Sequence, residues 1–178
     1  MQKTNSKILN LCMISLFTAV MAILAQIAIP TPFGVPITMQ TFAVSLAAII
    51  LGAKNGAIAS TIYIMLGAIG LPVFSNFTGG WQYIVGPTGG FILSFPLMAY
   101  IIGSGCEYGP KKKLSFTISL ITGTTFNFIC GILVFCAVTK SHFFVGFTTC
   151  ALPFIPGEIL KMFLASTLGI RIKKRLPK

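Results

Sequence analysis

Acidic residues are nearly missing from this chain: two, against thirteen lysines and arginines in 178 residues. With two carboxylates in all, paired-carboxylate hydrolysis and a two-metal centre are excluded. Histidine occurs once, at His142, with no cysteine or acid at metal-ligand spacing, so no metal site is expected. No GxxxxGK[ST] occurs. The glycine-rich "GPTGG" at 86–90 lacks the lysine that would reach a phosphate, so the chain does not hydrolyse ATP itself. Five cysteines, at 12, 106, 130, 136 and 150, are odd in number and form no CxxC; they read as small apolar packing residues. A Ser-His-acid set has no nucleophile-elbow context. An enzyme is not expected, nor a cofactor.

Charge of either sign is scarce as well. Charged residues make up 8% of the chain, where a soluble domain carries about 25%. What fills the space is apolar: 55% hydrophobic residues, sixteen Phe and a mean hydropathy of +0.93. Lipid is therefore the expected solvent, and the length suits a single integral-membrane domain over residues 1–178. Measured against a span of roughly 20 residues, the apolar runs give six helices, near 8–29, 39–53, 56–72, 89–105, 114–138 and 153–170. The first is long enough to cross and others follow, so it reads as a span and not as a secretory signal. Proline and glycine in "TPFGVP" (31–36) separate the first pair. "GAKNG" (52–56) leaves room only for a tight helical hairpin, and "GPKKK" (109–113) marks another break. The fold class expected is an all-α membrane protein of six transmembrane helices.

The basic residues orient it. With both termini cytoplasmic, Lys3, Lys7, Lys54, Lys111, Lys112, Lys113, Arg171, Lys173, Lys174, Arg175 and Lys178 share the inner side, eleven of thirteen. Lys140 alone lies in an outer loop. That asymmetry satisfies the positive-inside rule, and the opposite orientation violates it. The net charge of +11 is thus topology and not a nucleic-acid footprint.

With this orientation the unusual residues gather outside. The link over 71–90 holds the single Trp81, five glycines, Asn76, Gln82 and Tyr83. It is longer than a connection needs and too aromatic for a disordered linker, so a lid over 73–88 is expected above an outward cavity. Trp81 and Tyr83 also suit an interfacial anchor. In "FIPGEILKMF" (154–163), Glu158 and Lys161 share one helix face near a helix start. They read either as a dipole partner with a snorkelling lysine, or as the polar wall of a pocket. Asn127, mid-span, is a further candidate beside its role as a helix–helix hydrogen bonder. In the first helix Ser15, Ala19 and Ala22 form a small-residue stripe, broadened by Thr18 and Ala25. It suits either internal packing or docking of a separate subunit.

"PITMQTFAVSLAAIILGAKNGAIA…YIMLGAIGLPVF", "GPTGGFILSFPLMAY" and "PGEILK" together resemble the BioY family. These are the biotin-binding S components of energy-coupling-factor (ECF) vitamin transporters. The resemblance runs over 19–174. It implies six helices, an external loop closing over biotin, a bacterial cell membrane location, and partnership with a transmembrane T component and two ATPases. It also implies docking through A-xxx-A on the first helix, matched here by Ser15-xxx-Ala19. The family usually has Asp where this chain has Glu158. Biotin carries two ureido N–H donors, a carbonyl, an apolar thiophane ring and a carboxylate tail. The resemblance accordingly assigns Lys161 to the carboxylate, and Glu158 to a ureido N–H or to orienting Lys161. Gly86, Gly89 and Thr88 would line the cavity, with Gln40 and Asn76 adding amide contacts. An S component for another vitamin, and a membrane-embedded enzyme or assembly protein without a transported ligand, stay open beside this reading.

Overall fold

A computed structural model of the chain describes residues 2–32, 34–107 and 113–176. Lys111, Lys112 and Lys178, used above to orient the chain, lie outside the described residues. Eight α-helices account for most of the rest. They are α1 (Gln2–Ala25), α2 (Gln40–Leu51), α3 (Ala53–Ala68), α4 (Trp81–Val85), α5 (Gly89–Glu107), α6 (Lys113–Thr139), α7 (Phe143–Cys150) and α8 (Ile155–Arg175).

The centre of the bundle is α2, buried from Phe42 to Ile50. A helix apolar all round belongs inside, and α1, α3, α5 and α8 surround it. Close approach is set by small residues. A Cβ on Gly56 of α3 would stand 2.9 Å from the Ala48 backbone of α2. Gly52 breaks the chain between these helices at φ +85. Glu107 at the end of α5 then accepts the Ala53 backbone N–H at 2.8 Å, capping α3 across 54 residues of sequence. Many large apolar side chains on the outer helices, among them Leu11, Leu16, Ile23, Leu133 and Phe163, are exposed, as lipid-facing residues are.

Each apolar segment read from the sequence falls on a helix, with three differences. A short antiparallel pair, β1 (Ala28–Ile29) with β2 (Ile37–Thr38), brackets the proline-rich loop after α1. The link contains α4. The last segment is preceded by α7, bent 55° from α8. Among the described residues, three helices, α1, α5 and α6, suffice by length and composition to cross a membrane, or four if α7 and α8 form one broken span. Helices stand at all six apolar segments, but α2 and α3, with 12 and 16 residues, are shorter than a straight crossing of about 20, and α2 touches protein on all sides.

The helix directions separate two ends. Lys7, Lys54, Arg171, Lys173, Lys174 and Arg175 lie at the start of α1, the α2–α3 junction and the end of α8. The starts of α2 and α8 point to the opposite end, where the link over 71–88 lies.

Candidate functional site

A cavity of about 480 Å³ opens at that opposite end, between the starts of α2 and α8, the link, α5 and α6. Its volume lies in the range of small-molecule sites, about 300–1,000 Å³. Phe91, Phe95, Phe128, Phe154, Phe74 and Tyr83 supply the apolar wall. Phe128 stands edge-on to both Phe91 and Phe154, with ring centres 6.1 and 6.4 Å away, which fixes the rings without filling the space.

The polar floor starts at α8. Pro156 fits its first turn, where a missing N–H costs nothing. Glu158 follows at the positive end of the helix dipole and Lys161 one turn on. Their side chains meet at 2.5 Å, and the residues are 4% and 7% exposed. Thr41 of α2 completes the group: its hydroxyl donates to Glu158 Oε2 at 3.0 Å and accepts from Lys161 Nζ at 2.8 Å. Lys161 Nζ also donates to the Thr38 carbonyl at 3.1 Å. An ammonium has three protons, and these three acceptors take them all. The pair is thus neutral overall, while Glu158 Oε1 makes no hydrogen bond among the described residues. A buried ion pair repays its desolvation only with such additional bonds.

Beside it, Thr38 donates to Gln40 Oε1 at 3.0 Å, Gln40 Nε2 to the Tyr63 hydroxyl at 2.6 Å, and Tyr63 to the Val73 carbonyl at 3.0 Å. This chain of bonds ties the floor to the link. Phe74 is the link's anchor. It is 1% exposed, with its ring over Gly67, where a Cβ would overlap it. Beyond it a tight turn carries Asn76 and Phe77 at φ 58 and 55. Asn accepts the left-handed region, whereas a Phe there is strained.

Of the residues singled out in the sequence, Lys161, Glu158, Thr88, Gly86, Asn76, Tyr83, Gln40 and Asn127 line this cavity. Trp81 and Gly89 do not. Trp81 is 64% exposed at the start of α4, and Gly89 is buried against the Ile84 carbonyl as α5 begins. Thr38, Thr41 and the Phe residues were not singled out. A threonine beside Gln40 in "PITMQT", opening a buried helix, was the available signal for Thr41. On α1, Ser15 and Ala19 are exposed and Ala22 half-buried. Thr18 and Ala25 face inward, Thr18 donating to the Ala59 carbonyl of α3 at 3.2 Å. Among the described residues, no three of His, Cys, Asp and Glu gather to hold a metal.

A model described as "BioY family" matches residues 1–178. "Biotin transporter BioY" of Thermotoga maritima is 39% identical over 164 residues, 89% of this chain and 92% of that protein. "Biotin transporter BioY2" of Lactococcus lactis subsp. cremoris is 34% identical over 172 residues, 97% and 94% of the two chains. A crystal structure of "the S-component for biotin from an ECF-type ABC transporter" superposes with a TM-score of 0.89 at 27% identity, covering 97% of this chain and 94% of that one.

Proposed function

This chain belongs to the BioY family, and on that premise we propose that it captures biotin in the cavity as the S component of an ECF-type transporter. It is a multi-pass membrane protein and not an enzyme. Lacking a phosphate-binding loop, it relies on partners for energy: a T component and two ATPases. Both termini are cytoplasmic, a reading supported by the basic end of the bundle.

The observation that carries the reading is the neutral polar floor beneath an aromatic wall. A cyclic urea is itself neutral and needs acceptors for its N–H groups. Glu158 Oε1 is such an acceptor, already fixed in place by Lys161 and Thr41 through Oε2. The thiophane ring lies against the Phe rings. The carboxylate tail then points to the link, where Ser75, Asn76 and Gln82 line the mouth and water reaches it. This departs from the assignment of Lys161 to the carboxylate. An incoming anion finds no free proton on Lys161 and meets Glu158 as a second negative charge.

Isothermal titration calorimetry with biotin and biotin amide tests both levels. Saturable biotin binding is expected, with the amide within about tenfold. A loss of roughly 30- to several-thousand-fold with the amide would mean a buried charge pair at the tail and would reverse the orientation. No saturable biotin binding overturns the function.

A further inference from the structure

Asn127 of α6 is wholly buried at 0% exposure and lines the cavity. Its amide is fixed by its neighbours. Nδ2 donates one proton to the Phe91 carbonyl at 2.8 Å and the other to Ser94 Oγ at 2.7 Å. Ser94 spends its own hydroxyl proton on the Phe91 carbonyl at 3.0 Å. Both neighbours are therefore acceptors, and the reversed amide would set oxygen against oxygen. The carbonyl Oδ1 is left over, with no hydrogen-bond partner among the described residues. A buried acceptor in that state, on the wall of a cavity, is open to a donor from a ligand. The platform is rigid: a Cβ on Gly131 would overlap the Phe91 ring, and one on Gly123 would stand 2.8 Å from the Ile102 side chain, so α5 and α6 are in direct contact on either side of Asn127.

We propose that Asn127 Oδ1 is a specificity-determining acceptor for one ureido N–H, with Glu158 taking the other. The inference rests on the biotin reading above. At neutral pH the carboxylic acid is ionised, so the two ureido N–H groups are biotin's only donors. They flank one carbonyl and point apart, so acceptors on two different walls suit them. Here α8 supplies Glu158 and α6 supplies Asn127. The site thereby demands two unsubstituted ring nitrogens, a requirement that neither shape nor charge would impose.

The test is competition against labelled biotin by the two mono-N-methyl biotins, on wild type, Asn127→Ala and Asn127→Leu. Wild type is expected to bind each isomer about 10- to 100-fold more weakly than biotin, the penalty of an unpaired buried acceptor. Asn127→Ala should bind biotin more weakly by a similar factor. It should then accept one isomer as well as biotin while still rejecting the other. Equal rejection of both isomers by wild type and variant overturns the assignment while leaving the biotin reading intact. If the variants do not fold, wild type alone still decides: an isomer that binds as tightly as biotin shows that one nitrogen is not read. Absence of biotin binding by wild type fails the proposed function first, and this inference with it.

Discussion

Gln26, the residue following α1, accepts the backbone N–H of Phe77 through Oε1 at 2.7 Å. Its Nε2 donates to the Ala22 carbonyl at 2.9 Å and the Val73 carbonyl at 3.4 Å. One side chain therefore holds both flanks of the strained turn at 76–77 against α1. Gln26→Leu should release the turn. Since a hydrogen bond contributes about 0.5–1.5 kcal/mol net, bound biotin should dissociate roughly 2- to 10-fold faster. Limited proteolysis near 76–80 should also lose part of its protection by ligand. An unchanged dissociation rate, followed with labelled biotin, would show that the turn is held by Phe74 alone.

The buried pair makes a second, asymmetric expectation. Lys161→Met strands the Glu158 carboxylate and should lower stability by roughly 3–5 kcal/mol, the cost of an uncompensated buried charge. Adding Glu158→Gln removes that charge and should recover most of the loss, although neither variant restores biotin affinity. Thermal unfolding in detergent reads both. A double variant no more stable than the single would mean that the two side chains do not compensate each other.

Ser15 and Ala19 stand exposed on α1, away from the cavity. Ala19→Trp should abolish copurification with the T component while leaving biotin affinity within about twofold, as expected for a distant, independent site. Loss of binding together with assembly would place the residue in internal packing.

Orientation is checked with single cysteines in a cysteine-free background. A cysteine at Lys54 should react only after the membrane is opened, and one at Phe77 should react in intact cells. The reverse pattern contradicts the positive-inside assignment.

Charge in an apolar run was the most legible signal. Glu158 and Lys161 stood out because ionisable residues there are expensive, and the structure puts them on the cavity floor. Glycine with lysine at 52–56 likewise marked the α2–α3 break. Other features were silent for physical reasons. Phe143 through Cys150 is as apolar as a span, so neither composition nor periodicity reveals that α7 ends and the chain bends before α8. A five-residue helix carries too little pattern to say which way Trp81 points; Trp81 faces out and Tyr83 in. Thr41 and Tyr63 matter through the partners they meet, 117 and 23 residues away, and such pairings are not written locally. Glu107, an acid at a helix end, carries no local sign that it caps another helix.

The length of α2 has a consequence of its own. Twelve residues rise about 18 Å, against a hydrocarbon thickness of about 30 Å. Two more turns at its N-terminus would run where Thr38, Gln40 and Thr41 now border empty space. The ligand chamber is, in this sense, the missing part of a helix. Its depth is set by where the proline-rich loop lets the chain begin to coil. Changing the number of residues between Pro36 and Gln40 would rescale the chamber and shift Thr38, which borders it, in the same step.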